Sequence, residues 1–292
     1  MSRLPRVAAA ALLLCCTTAC GGSDQTPTGT GAGTPGAPTT TAFPTDLTAY
    51  VDQSRSERQG RSVFVRLVHG GEGEVTALRA DVDSDRFGKA TWTGEKSFTN
   101  EADLDFELPV GSCGTGSDAD VRLTYRIDDG PELVSTTRAT DRYGAIALFL
   151  DRDCAEQTMG EAADVTVGAH RVVGRGVGSV FEVDVAIAGP GAREDVSFGG
   201  FQGSVLFRTV EGTPVYPAVA PVPLVAGAED DVTLRLAPGR CDPHALAEDK
   251  VGTLFGVHVV APGLPEGAFY YLPISDETRA DLRAFFGTSC GF

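Results

Sequence analysis

The sequence predicts a mainly β protein with two immunoglobulin-like β-sandwich domains in tandem, each with one disulfide, and few short helices. Short runs that alternate apolar and polar residues are separated by turn residues, and the 292-residue chain contains 36 Gly and 17 Pro. One unit of strand, turn and cysteine occurs twice along the chain. Short strands with frequent turns are typical of sandwiches.

The repeated unit predicts the order of the strands. Residues 103–113 and 231–241 each contain an alternating run, then a turn with Pro and Gly, then a cysteine. Further apolar-rich runs stand at matching places around these units: 63–68 with 180–185, 121–127 with 253–260, and 145–150 with 269–274. We therefore expect two copies of one domain, over residues 46–160 and 161–292.

The cysteines of the folded part are Cys113, Cys154, Cys241 and Cys290. An even number of cysteines in an exported chain indicates disulfides, and four cysteines allow three connectivities. The repeat favours Cys113 with Cys154 and Cys241 with Cys290. Each bond would restrict the unfolded chain by roughly 4 kcal/mol in the loop-entropy model.

Two helices are predicted at the edges of the folded part. Residues 46–58 carry three apolar side chains at helical spacing. Residues 276–286 follow Ser275, which is a favourable N-cap, and precede Gly287, which is expected to end the helix.

The N-terminus has the features of an export signal. A positively charged start is followed by an apolar run, residues 7–14, and by small residues before Cys20. This run is far shorter than the roughly 20 residues of a membrane-spanning helix. The segment resembles the lipobox of bacterial lipoproteins, in which the cysteine is lipidated and becomes the new N-terminus. We predict a signal peptide over 1–19, lipidation of Cys20 and a disordered Gly/Thr/Pro tether over 20–45, with cleavage to a soluble secreted form as the alternative.

The charge of the chain argues against a nucleic-acid partner. The formal net charge is -16, and removal of Arg3 and Arg6 with the signal peptide would bring it to -18. Nucleic-acid affinity depends on Lys and Arg contacts to phosphates, which an acidic surface opposes. The expected partners are therefore the membrane, through the lipid on Cys20, and an envelope protein or glycan.

The polar block after Cys241 contains the weak candidates for a metal site. Asp242 and Pro243 are expected to start a short helix, on which His244 and Glu248 stand four residues apart, next to Asp249. A zinc site needs three or four ligands, so a capped helical turn is the simpler interpretation. The alternative function is a metal-dependent envelope enzyme or metal carrier centred on these residues.

Aromatic side chains are the weak candidates for ligand binding. Tyr270 and Tyr271 are neighbours in a predicted strand, so their rings lie on opposite faces of the sheet. One of them is expected to face solvent, where it could stack on a sugar or a peptide. The sequence predicts no catalytic residues, because it contains neither a Gly-x-Ser-x-Gly motif nor a dinucleotide-binding loop, and it predicts no cofactor.

Two motifs resemble those of uncharacterised lipoproteins of high-GC Gram-positive (actinobacterial) bacteria. They are Cys20-Gly21-Gly22-Ser23 with its Thr/Pro tether, and the block of residues 240–250. The resemblance implies attachment to the extracytoplasmic face of the cell membrane and implies no catalytic residue. The resulting hypothesis is a non-catalytic binding or interaction module, with a purely structural spacer as a further possibility.

Overall fold

The chain folds into two pairs of stacked β-sheets that follow one another along the sequence. The structure is a computed structural model that describes residues 38–189, 193–218, 220–224, 229–247 and 251–291. These residues belong to one compact unit, Pro38–Phe292. The predicted signal peptide, Cys20, most of the tether, Glu248 and Asp249 lie outside the described residues.

The strands and helices of the described residues have the following bounds. The strands are β1 (Thr39–Thr40), β2 (Leu47–Asp52), β3 (Ser62–His69), β4 (Val75–Ser84), β5 (Gly88–Phe98), β6 (Glu101–Glu107), β7 (Ala119–Ile127), β8 (Leu133–Ala139), β9 (Asp164–Val173), β10 (Val180–Ala188), β11 (Ser197–Gln202), β12 (Phe207–Thr209), β13 (Val222–Pro223), β14 (Glu229–Pro238), β15 (Gly256–Val260) and β16 (Phe269–Tyr271). The helices are α1 (Ala145–Ala162), α2 (Pro243–Ala247) and α3 (Asp276–Cys290), with 3-10 turns at Arg55–Glu57 and Gly176–Gly178. No helix among these residues is long and apolar enough to cross a membrane.

The first sandwich stacks a three-stranded sheet on a five-stranded sheet. Their strand orders are β2-β3-β6 and β1-β8-β7-β4-β5. Alternate residues of these strands point inwards, and Val65, Leu104 and Leu123 are fully buried between the sheets. The alternation predicted for residues 63–68 and 103–108 thus forms one core.

The second sandwich is built from two four-stranded sheets. Their orders are β12-β14-β10-β9 and β13-β11-β15-β16. Its core contains a cluster of large rings, including Phe181, Phe207, Phe255 and Phe286, each at most 1% exposed. Helix α3 supplies Phe286 and closes this core.

The predicted duplication is confirmed in the order of the strands. The three strands β9-β10-β14 repeat β2-β3-β6, and β16-β15-β11 repeat β8-β7-β4, all with antiparallel pairing. Cys113 is bonded to Cys154 and Cys241 to Cys290, with Cα atoms 5.0 and 5.2 Å apart. In each copy the second cysteine lies on a helix that follows the last strand, so the immunoglobulin-like sandwiches share one plan.

One predicted strand is wrong, because residues 145–150 form the first turns of α1. Asp141 accepts hydrogen bonds from the backbone N–H groups of Ile146 and Ala147 at 3.3 and 2.7 Å and so caps the helix. The early residues of α1 pack into the first core, whereas Ala155 and Met159 pack into the second. The repeat therefore pairs α1 with α3 and β8 with β16, and the predicted boundary at residue 160 falls in the last turns of α1.

The helix predicted over residues 46–58 is also wrong. Residues 47–52 form β2, whose backbone pairs with β3, followed by a 3-10 turn. Leu47 and Val51 face the core at strand spacing, while Tyr50 lies on the other face and packs edge-on against Tyr143 at 5.8 Å. Because both faces of β2 are covered, Leu47, Tyr50 and Val51 are all buried, and their spacing in the sequence is the same as that of an apolar helix face.

The two remaining helices begin where they are predicted to begin. The Ser275 hydroxyl accepts a hydrogen bond from the N–H of Thr278 at 3.1 Å, and the Asp242 carboxylate accepts one from the N–H of His244 at 2.9 Å. Gly287, however, does not end α3. The helix continues to Cys290, and Gly291 ends it with φ of 80°.

Candidate functional site

A cavity lined by four arginines lies between α1, the start of β3, and the β16–α3 region. Its volume is about 320 Å³, and Arg58, Arg61, Arg152 and Arg279 line it. We call it the arginine cleft. The first two arginines precede β3, the third lies on α1 and the fourth on α3, so the cleft is formed by both sandwiches.

Arg61 is fixed by a carboxylate of α1. Its Nη1 and Nη2 atoms donate to the two oxygens of Asp153 at 3.0 and 2.8 Å, and its Nε donates to the Leu108 carbonyl at 2.7 Å. Asp153 also accepts the backbone N–H of Gly111 at 2.8 Å. Arg61 thus joins β3 to α1 and brings no uncompensated charge to the cleft.

Arg152 is a buried cation held between aromatic rings. The residue is 6% exposed, and its guanidinium lies 5.4 Å from the centre of the Phe149 ring and 4.9 Å from that of Tyr271. It donates to the Arg58 carbonyl at 2.7 Å, whereas its buried Nε has no hydrogen-bond partner among the described residues. Burial lowers the pKa of Arg152, and the nearby Tyr271 partly opposes that effect.

The other two arginines leave positive charge in the cleft. Arg279 donates to the Thr253 carbonyl at 3.3 Å and lies 4.0 Å from the fully exposed carboxylate of Asp276. Burial lowers its pKa, and Asp276 partly opposes that effect. No carboxylate among the described residues forms an ion pair with Arg58. Burial, and then the charge of Asp153, raise the pKa of Glu156, the second carboxylate of the cleft. Among the lining residues, four guanidinium groups and two carboxylates leave an excess of two positive charges, and Asp276 lies outside this lining.

The two candidate tyrosines divide as the strand alternation predicts. Tyr270 is 5% exposed and belongs to the second core, where burial raises its pKa. Tyr271 is half-buried and points to the arginine cleft, where it meets Arg152. Whether either residue binds a ligand stays a prediction.

A second cavity of about 380 Å³ adjoins the arginine cleft. The two cavities share Arg58 and Tyr271 as lining residues, and Phe269 and Gln202 line the second cavity alone. Phe269 and Tyr271 are two residues apart on β16, so they face the same side, with their ring centres 5.6 Å apart and an angle of 68° between the ring planes. The two cavities therefore lie side by side, and we call them together the groove: the arginines line one half, and Phe269 and Tyr271 line the other.

Of the candidate metal ligands His244, Glu248 and Asp249, only His244 lies among the described residues. His244 is exposed at the start of α2. His258 is buried in β15, stacked on Tyr216 at 3.7 Å and in contact with Gln202 at 3.1 Å. Within the residues that the structure describes, which include neither Glu248 nor Asp249, no three His, Cys, Asp or Glu side chains are placed to hold a metal ion.

Comparisons with known proteins give no functional assignment. No protein-family model matches the chain, and no curated protein is significantly similar to it. Similar solved structures include a red sea bream transglutaminase, with 12% identity and a TM-score of 0.21; the match covers 79% of this chain and 31% of that one. An exo-chitosanase of Amycolatopsis orientalis has 13% identity and a TM-score of 0.20, and the match covers 72% of this chain and 25% of that one. The BSP domain of a biofilm associated protein has 9% identity and a TM-score of 0.21, and the match covers 82% of this chain and 60% of that one. This chain spans less than two thirds of each of these proteins, and TM-scores this low support no conclusion about activity.

Sequence reasoning missed the arginines of the cleft. They come from three separate places in the chain, and the sequence spacing does not show that Arg152 and Arg279 meet the arginines of residues 55–61. The one usable signal was Arg152, a charged residue in a stretch of α1 that is otherwise largely buried.

Proposed function

We propose that this protein is a lipid-anchored extracytoplasmic binding protein that takes an anionic ligand in the arginine cleft. The observation that carries the proposal is the excess of two positive charges in one cavity of a chain whose formal net charge is -16. The acidic surface does not cancel this local charge, because exposed charges are screened beyond roughly 8 Å at physiological ionic strength. An anion that enters the cleft meets guanidinium groups that are already oriented.

The chemistry of guanidinium favours carboxylates and phosphates as ligands. Arginine presents donors in a planar fork that matches these groups, and hydrogen bonds to charged groups are stronger than neutral ones. Arg58 has a half-exposed side chain and no ion-pair partner among the described residues. It is therefore the best-placed group to meet the ligand first.

The proposed location has separate support. The N-terminal segment has the order of charged, apolar and small residues of a lipoprotein signal. Two disulfides close the sandwiches, as expected in an oxidising, extracytoplasmic compartment. The lipid on Cys20 and the tether would hold the cleft at the outer face of the membrane.

Binding is tested by calorimetry with the mature chain in detergent and small anions as probes: acetate, malonate and inorganic phosphate. We expect saturable binding of at least one anion, and Arg58→Gln should weaken it about 10- to 100-fold, since a hydrogen bond to a charged group is worth about 1.5–3 kcal/mol. Arg55→Gln is the matched control, because Arg55 is an exposed arginine three residues away that does not line the cleft. Absence of saturable binding, or equal losses in both variants, would contradict the proposal.

Anchoring is tested by metabolic labelling with a clickable palmitate analogue. Cys20→Ala should abolish the label. The variant protein should leave the membrane fraction and appear in the medium, or it should keep its signal peptide. Retention of the label in this variant would rule out lipidation at Cys20.

A further inference from the structure

We infer that the anionic ligand is an oligosaccharide that carries a carboxylate, with the acidic group in the arginine cleft and a further sugar ring in the second cavity. This inference rests on the proposed function, and it concerns the same groove. It assigns a distinct role to each half of the groove.

The charge of the cleft suits a ligand with few negative charges. The excess of two positive charges includes the negative charge of Glu156 at the same cavity. That carboxylate would repel a compact group with several charges, such as a diphosphate, yet it can accept hydrogen bonds from hydroxyl groups. A single carboxylate on a hydroxyl-rich molecule satisfies both conditions.

The second cavity suits a flat ring with polar edges. Phe269 and Tyr271 present two adjacent aromatic rings on one side of β16. Gln202 is exposed beside them, and its Oε1 lies 3.1 Å from Nε2 of His258, while no hydrogen bond of its amide nitrogen is found among the described residues. Aromatic rings against the apolar face of a ligand, with a few polar groups at its edge, are the usual composition of a ligand site.

The two cavities together have room for more than one sugar ring. The two cavities measure about 320 and 380 Å³ and meet at Arg58 and Tyr271. An extended peptide is less well matched, because β16 pairs with β15 and helix α1 packs closely against it. Strand addition, which is how sheets commonly bind extended peptides, would have to compete with α1 for the space beside β16.

The test uses oligosaccharides of one to six units that carry a single terminal glucuronate, with neutral maltooligosaccharides of equal length, calorimetry as the readout and the mature chain in detergent. We expect affinity to rise at least about tenfold from monomer to trimer, and we expect no binding of the neutral series. Phe269→Ala should weaken trimer binding about tenfold and leave monomer binding within about twofold. Tyr143→Ala is the matched control, because this ring is 63% exposed and lies outside both cavities.

The outcomes separate this inference from the proposed function. If small anions bind and Arg58→Gln weakens them, but affinity does not rise with the number of sugar units, the inference fails and the proposed function stands. Tighter binding of a nucleoside monophosphate or of an acidic peptide than of the trimer also overturns it. If no anion binds at all, both fail. The length dependence is measured on the unmodified protein, so the result does not depend on the folding of a variant.

Discussion

Replacement of Asp153 by Asn should destabilise the protein by about 2 kcal/mol. The carboxylate is 10% exposed and accepts three hydrogen bonds, two from Arg61 and one from the Gly111 N–H. Loss of one partner of a fully buried ion pair costs about 3–5 kcal/mol. Because the Arg61 side chain is 33% exposed, water can reach it, and because Asn keeps one acceptor oxygen, the expected cost is lower.

Urea denaturation measures this cost. Fluorescence of Trp92, the single tryptophan, reports on the first sandwich, and circular dichroism reports on the whole chain. Glu161→Gln is the matched control on α1, because Glu161 is 59% exposed and pairs only across the surface with Arg193. Such a pair is worth no more than about 1 kcal/mol. If Asp153→Asn costs no more than the control, the Arg61–Asp153 pair does not hold the first sandwich to α1.

Three further predictions concern the second sandwich. Replacement of both Cys241 and Cys290 by Ser should lower the free energy of unfolding by about 4 kcal/mol in the loop-entropy model. A reductant should lower that of the parent protein by more than that of the double variant, which keeps only Cys113–Cys154. Burial lowers the pKa of His258 below that of a histidine in the unfolded chain, so the unfolded state binds the proton more readily. The free energy of unfolding should therefore fall as the pH drops below about 6.5. In urea titrations from pH 7 to 5, His258→Gln should reduce this dependence of stability on pH. Ser275→Ala should cost about 1 kcal/mol by thermal denaturation, because the Thr278 N–H loses its acceptor, and Ser275→Asp should restore most of it.

The sequence was informative where one local pattern controls one element. Strand alternation predicts that Tyr270 and Tyr271 face opposite sides of the sheet, and the repeat of strand, turn and cysteine predicts both disulfides. It misled where tertiary contacts change the pattern: β2 is covered on both faces, and α1 carries apolar residues for two cores. The arginine cleft could not be predicted, because its four cations meet only after the two sandwiches pack against α1.

The contribution of Arg152 to stability distinguishes a ligand-binding role of this residue from a structural one. A buried cation without a carboxylate partner is unfavourable for folding, and burial lowers its pKa. Arg152→Met keeps most of the side-chain volume and removes the charge, so stability should be unchanged or rise by about 1 kcal/mol. The Arg58 carbonyl loses a donor in this variant, but Arg58 is half-exposed and water can replace that donor. The same variant should weaken anion binding about tenfold or more, because an oriented charge is lost from the cleft. Paired urea and calorimetric measurements decide: a loss of more than 2 kcal/mol with unchanged anion affinity would make Arg152 a structural residue and remove the physical basis for a ligand at this position.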